Sequence, residues 1–156
     1  MTDSIWTAPT AARPGAEAGR RRILAQHLRL RELLTKARTV ADAALEGQSA
    51  VPDAVASAIG DIHAAFEVHL DFEERVWPTL FVIDSLQLLA RTERMRGEHQ
   101  RQRAILSSLH REAKAVPELP TLAAKLAFLV DWLLTDMAGE ERELLASSAE
   151  PAPSPG

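Results

Sequence analysis

A histidine and a glutamate stand one helical turn apart on an otherwise apolar stretch of this 156-residue chain. In the segment IHAAFEVHLDFEERVW, residues 62–77, intervals of three and four separate Ile62, Phe66, His69, Glu73 and Val76. A helix would place these residues on one face, and a face this apolar points into a core. Burying a carboxylate is costly unless it is paired or bound to a cation. His69 and Glu73 are therefore candidate metal ligands.

A second segment repeats this pattern near the end of the chain. DMAGEEREL, residues 136–144, aligns with HLDFEERVW, residues 69–77, on the shared letters EER. The alignment pairs His69 with Asp136 and Glu73 with Glu140. Each segment thus carries two potential ligands, four residues apart, on an apolar helix face.

Two further histidines lie among apolar residues in the other amphipathic segments. His27 lies between Leu24 and Leu30, and His99 follows Met95 by one turn. Imidazole nitrogens and carboxylate oxygens together suit iron, manganese or zinc. Carboxylates can also bridge two ions, and open positions then remain for water, dioxygen or another small ligand. We predict a core site for two ions formed by His27, His69, Glu73, His99, Asp136 and Glu140.

Four amphipathic helices must position these side chains. Periodicity and breaker residues predict helices over 17–46, 52–77, 86–114 and 120–147, with Gly47 ending the first and Pro78 ending or kinking the second. Residues 79–90 are expected to carry the connection into the third helix, with Asp84 or Ser85 as its N-cap. Four long helices with short connections predict an all-α, up-down-up-down bundle.

Several other residues receive structural interpretations. Arg20 to Arg22 are read as a solvated helix start. The inner face of the third helix should comprise Leu89, Thr92, Met95, His99, Gln102, Leu106 and Leu109. His63 is expected at the surface or boundary of the bundle, and His110 lies roughly 16 Å along the helix from His99. Trp77 and Trp132 are read as core residues.

The composition agrees with one all-α domain. Hydrophobic residues make up 46% of the chain, aromatic residues only 4%, and there is no cysteine, which excludes disulfides, thiolate sites and a cysteine nucleophile. The net charge of −4 argues against nucleic acid as a partner. Without a membrane-length apolar run or a secretory signal, we expect a cytoplasmic protein that does not bind membranes. We predict a flexible arm at 1–16, a bundle at 17–147 and a disordered tail at 148–156.

The chain resembles the hemerythrin-like, or HHE cation-binding, domain family. The resemblance covers roughly residues 20–147 and rests on His27 in QHLRLRELL, the block HLDFEERVWPTL, EHQ at 98–100 and EERELL at 140–145. It implies a left-handed four-helix bundle with a non-haem, usually di-iron, centre. The ligands implied by position are His27, His69, Glu73, His99 and Glu140.

Two positions depart from that family. Its members have a histidine where this chain has Asp136, and its oxygen carriers have a second histidine where this chain has Arg103. A carboxylate in place of an imidazole favours the more oxidised ion, so redox chemistry, iron handling or sensing is more expected than reversible oxygen carriage.

The expected function is therefore to bind, activate or sense O2, peroxide or NO, or to handle iron. The histidines would be terminal ligands, Glu73 and Glu140 bridging ligands, and Asp136 a terminal oxygen ligand. Two alternatives stay open. One is a metal-free or single-metal interaction module, which Arg103 and Asp136 favour. The other is an oxidase or oxygenase with an organic substrate in a pocket lined by Phe66, Trp132 and Leu133. Enzymatic activity and oligomeric state are left undetermined by the sequence.

Overall fold

Four antiparallel helices form the part of the chain that the computed structural model describes, residues 15–48, 52–81, 85–115 and 118–148. They are α1 (Ala16–Leu45), α2 (Pro52–Leu80), α3 (Ser85–Lys114) and α4 (Leu119–Ser148), and these ranges contain no strand. The predicted all-α four-helix bundle is confirmed. The predicted arm and tail fall outside the described residues except at positions 15, 16 and 148, so the domain limits stay a prediction.

The end of α1 follows the predicted capping chemistry. Gly47 adopts a left-handed conformation with φ 68°, which is favourable for a residue without a side chain. The amide of Gln48 then donates to the carbonyl oxygen of Ala43 at 3.1 Å, and this bond satisfies one of the last helical carbonyls. Pro52, predicted in the first turn of the next helix, is the first residue of α2.

Of the two alternatives for Pro78, the end of the helix is wrong, because α2 continues through Pro78 to Leu80. The Arg20 guanidinium donates to the Leu80 carbonyl oxygen and so caps the helix from α1. Arg20 is only 8% exposed, which also corrects its interpretation as a solvated residue. Leu80 and Phe81 are buried, and their packing holds the final turn in place.

The expected connection over residues 79–90 is also too long. Thr79 and Leu80 belong to α2, and α3 begins at Ser85. Asp84, one of the two proposed N-caps, lies outside the described residues. Leu89 is 57% exposed and not on the inner face, because it is rotated by roughly 80° from His99 at 3.6 residues per turn. The rest of the predicted inner face of α3 is buried.

The core has two apolar clusters with a polar layer between them. The larger cluster fills the body of the bundle and includes Leu34, Ile59, Phe66, Leu106 and Leu133. The smaller one, which we call the cap cluster, consists of Ile23, Trp77, Leu80, Phe81, Met95 and Leu144. Every helix crosses from one cluster to the other, and its candidate ligand lies at the crossing. None of the described helices is long and apolar enough to cross a membrane.

Candidate metal centre

Four predicted ligands meet in the polar layer. His27, His69, Glu73 and Glu140 each offer a ligand atom, and these atoms all lie within 4.8 Å of one another. His27 Nε2 is 3.2 Å from His69 Nε2 and 3.4 Å from Glu140 Oε2. His69 Nε2 is 3.5 Å from Glu73 Oε2. Helices α1, α2 and α4 thus bring nitrogen and oxygen donors to one point.

His99 joins this group from α3. Its Nε2 lies 3.3 Å from Glu73 Oε2 and 3.9 Å from Glu140 Oε1. Glu73 therefore lies between His69 and His99, and Glu140 lies between His27 and His99. Each carboxylate can reach the donors of two different helices, which is the position that a bridging carboxylate needs.

The orientation of the three histidines leaves Nε2 free to bind a cation. Each Nδ1 faces an oxygen acceptor on another helix: Glu141 for His27 at 3.1 Å, Gln26 for His69 at 2.9 Å and Glu74 for His99 at 3.1 Å. Because Nδ1–H donates to these oxygens, the neutral ring carries its lone pair on Nε2. This is the tautomer that a metal-binding histidine requires.

Some inner atoms of the cluster have no hydrogen-bond partner among the described residues: both oxygens of Glu73, and His99 Nε2. In the neutral state the lone pairs of His27 and His69 would face each other at 3.2 Å, an arrangement that a cation or a proton between them makes favourable. Glu73 is completely buried, and neither of its carboxylate oxygens has a hydrogen-bond partner. An unpaired buried carboxylate is costly. A cation in the cluster would satisfy all of these atoms, so the residues fit a metal ion.

Protonation balances the carboxylates when no cation is bound. Burial opposes the charged form of His99, but the nearby carboxylates of Glu140 and Glu73 outweigh it and raise its pKa to about 10. Burial and the nearby His27 lower the pKa of His69 to about 4. Burial raises the pKa of Glu73, whereas His27 and His99 overcome burial at Glu140 and lower its pKa. The cluster thus holds a positive charge on His99 beside the charged carboxylate of Glu140.

The comparisons with known proteins agree with this geometry. The model of the hemerythrin HHE cation-binding domain family matches residues 18–147. The chain belongs to this family. No curated protein and no solved structure matches it significantly. Family and donor cluster together indicate cation binding in the bundle core.

Two carboxylates that our sequence reasoning missed hold the histidines of this HHE domain. The Glu141 carboxylate accepts a hydrogen bond from His27 and another, 2.8 Å long, from Arg31. We call these three residues the α1–α4 clamp. The Glu74 carboxylate likewise accepts a hydrogen bond from His99 and another, 2.6 Å long, from Arg103. We call these three residues the α2–α3 clamp. In both clamps the arginine follows its histidine by four residues. The sequence did contain a signal for these two carboxylates, because each is the second glutamate of the repeated EER.

The α2–α3 clamp also accounts for one departure of this HHE domain from the family pattern. The Arg103 head group points outward, where it binds Glu74, Asp71 at 2.9 Å and Glu67 at 3.5 Å. It therefore does not place a positive charge in the polar layer. It holds the carboxylate that orients His99.

Asp136 is the predicted ligand that the structure does not place in the group. Its carboxylate accepts a hydrogen bond from the Gln102 amide, and its side chain lines a groove between α3 and α4. Burial, Glu140 and Glu98 raise the pKa of Asp136 to about 6. Its role as a metal ligand stays a prediction.

The remaining histidines and tryptophans of the HHE domain lie where the sequence indicated. His63 is half-buried, 3.3 Å from the Ser107 hydroxyl, and its ring stacks on His110 with 4.8 Å between centroids. Trp77 is buried in the cap cluster, and Trp132 packs partly buried against the larger one.

Proposed function

We propose that this HHE domain is a non-haem iron protein that holds two ions and uses them to bind, activate or sense a small ligand such as O2, peroxide or NO. One observation carries the proposal. The Nε2 atoms of His27 and His69 converge with the carboxylates of Glu73 and Glu140, His99 Nε2 lies within 3.9 Å of both carboxylates, and each Nδ1 has another partner. Neutral imidazoles in this tautomer are ready to bind metal.

Each side chain has a role in this proposal. His27, His69 and His99 supply terminal nitrogen donors, and Glu73 and Glu140 supply the carboxylates that lie between them. Iron bound by these residues supplies a redox-active centre with positions open to a small ligand. Manganese and zinc suit the same donors, so identifying the native ion is part of the test.

The surroundings of the cluster favour a small ligand over a large organic substrate. Phe66 and Leu133, which a substrate pocket would need, are at most 1% exposed and belong to the packed core. The edge of Phe66 faces the His69 ring, with 6.1 Å between centroids. Apolar packing of this kind leaves no room beside Phe66 and Leu133 for a large organic molecule.

Metal content and the absorption spectrum test the proposal together. We expect protein purified from iron-supplemented medium to contain close to two irons per chain, and to show ligand-to-metal absorption after exposure to O2 or peroxide. Glu73→Ala should lose the metal, because it removes the carboxylate between His69 and His99. The matched control, Glu93→Ala, removes an exposed carboxylate of α3 and should keep the iron. Only trace iron in the wild type would overturn the proposal.

The position of Asp136 favours a second candidate, a site that holds a single ion. Asp136 is bonded to Gln102, so the α3–α4 side of the cluster has fewer donors than the α1–α2 side. One iron per chain at saturation, without the magnetic coupling of a paired centre, would support this candidate and exclude two ions.

A further inference from the structure

A polar groove opens between α3 and α4 beside the metal cluster. It has a volume of about 430 Å³ and is open to solvent. Its charged lining consists of Arg94, Glu98, Asp136, Glu140, Arg142 and Glu143.

Glu140 connects this groove with the metal cluster. Its side chain is 12% exposed, whereas the side chains of His27 and Glu73 are 1% and 0% exposed. The same carboxylate lines the groove and lies 3.4 Å from His27 Nε2. The inner end of the groove therefore reaches a donor atom of the cluster.

Gly139 widens the groove at this point. A Cβ added to Gly139 would have only Arg142 Nη2 nearby, at 3.8 Å, so the backbone next to Glu140 borders open space. An alanine or leucine would extend into that space. A side chain at residue 139 would therefore narrow the groove next to Glu140.

The charges of the groove select a cation. Its lining has four carboxylates and two guanidinium groups, and one of the latter, Arg94, lies 3.5 Å from Glu143. Glu98 and Asp136 remain on the path toward Glu140. A lining with an excess of negative charge raises the local concentration of cations, and carboxylate oxygens suit hydrated divalent ions.

We propose that this groove is the uptake route by which a divalent metal ion reaches the cluster. The ion meets Glu98 and Asp136 first, exchanges part of its hydration shell for their oxygens, and passes to Glu140. This inference rests on the proposed function, since it concerns the loading of the same site. It adds a role for Glu98, Asp136 and Gly139 that ligand geometry alone does not assign.

Metal-loading kinetics test the charge of the route. Metal-free protein is mixed anaerobically with Fe²⁺, and uptake is followed by the quenching of tryptophan fluorescence, since Trp77 lies one turn from Glu73. We expect Glu98→Gln to slow uptake by roughly threefold, because it removes one charge that attracts the ion. The final iron content, measured after prolonged incubation, should equal that of the wild type. Asp61→Asn is the control, because it removes the same charge from an exposed position of α2.

A second variant tests the space of the route. Gly139→Leu should slow uptake by filling the groove, whereas Ala124→Leu, which alters a separate groove between α3 and α4, should load at the wild-type rate. Wild-type loading rates in both Glu98→Gln and Gly139→Leu would overturn the uptake route and leave the proposed function standing. A wild-type protein that takes up no iron would overturn both.

Discussion

Each histidine of the cluster is fixed through its outer nitrogen, so the orientation of the inner nitrogen does not depend on a bound metal. In the α1–α4 clamp, Arg31 holds Glu141, and Glu141 holds His27. A carboxylate that accepts from a ligating histidine makes the imidazole a better donor and keeps its ring in place.

Glu141→Gln tests this clamp. A glutamine still fills the space but lacks the charge that binds both His27 and Arg31. We expect metal affinity to fall by about 10- to 100-fold, with the helical content unchanged. Isothermal titration with Co²⁺, together with the cobalt absorption spectrum, would measure the loss. Glu93→Gln provides the control, and an affinity equal to that of the wild type would show that Glu141 does not support the site.

Asp136 can be tested by restoring the family residue. It occupies the position that corresponds to His69, and Glu98 corresponds to Gln26, the residue that accepts from His69 Nδ1. Asp136→His should therefore find an acceptor for its Nδ1 and strengthen iron binding, which a competition with a calibrated chelator would measure. Unchanged affinity would indicate that this position does not face the metal.

The sequence predicted which residues approach the centre, but not all of their contacts. His27, His69, Glu73, His99 and Glu140 lie at crossings of apolar helix faces, and helical periodicity reveals such positions. Periodicity does not reveal that Glu74 and Glu141 turn toward the histidines, because these residues lie at the flanks of their helices. Nor does it show that Asp136 binds Gln102, since this depends on how α3 and α4 face each other.

At the scale of helices, side chains of α2 pack closely against α1 at Gly19. A Cβ there would lie 2.7 Å from Val76 Cγ1 and 2.9 Å from Leu80 Cδ2. Gly19→Ala should destabilise the fold by about 1–3 kcal/mol because these two side chains must shift to make room. Gly97→Ala, in α3, meets no described heavy atom within 4 Å and should stabilise it by up to about 1 kcal/mol through helix propensity. Urea unfolding would measure both, and equal effects would contradict the close approach.

The contact between α2 and α3 should respond to acid at His110. Burial, Lys114 and the stacked His63 lower the pKa of His110 below its ordinary value of 6.5. The unfolded chain then binds the proton more readily than the folded chain. His110 therefore lowers the free energy of unfolding as the pH falls below 6.5 and has no such effect above that pH. We expect His110→Gln to lose less stability than the wild type between about pH 7 and about pH 5, as measured by urea unfolding. Parallel losses would contradict the prediction.

The helix limits were predictable where local chemistry determines them. Gly47 and Pro52 end and begin helices as expected. The predicted limit of α2 at Pro78 was wrong because long-range contacts stabilise a helical turn that the local sequence disfavours. These contacts are the hydrogen bond from Arg20 and the burial of Leu80 and Phe81. The prediction that Leu89 lies on the inner face is wrong for a different reason: its apolar side chain suggests burial, but its position roughly 80° from His99 around the helix leaves it exposed.

At the scale of the whole molecule, the polar layer separates the cap cluster from the main core, so metal binding should affect the stability of the entire bundle. A ligand that binds only the folded state stabilises it by about 2.7 kcal/mol at about 100 times its Kd. We expect Fe²⁺ or Co²⁺ to raise the thermal midpoint, and a chelator to reverse this increase. Differential scanning calorimetry would measure the change. A midpoint unaffected by metal would mean that the polar layer is equally stable without a cation.

The two clamps relate one half of the chain to the other. The α1–α4 clamp and the α2–α3 clamp exchange places when the hairpin α1–α2 is superimposed on α3–α4, with Glu73 and Glu140 as counterparts. A hairpin of half this length, paired with its own copy around a two-fold axis, would contain both clamps and both central carboxylates. The two halves of this chain differ at one corresponding pair: position 69 has a nitrogen donor, whereas position 136 has an oxygen donor that accepts from Gln102.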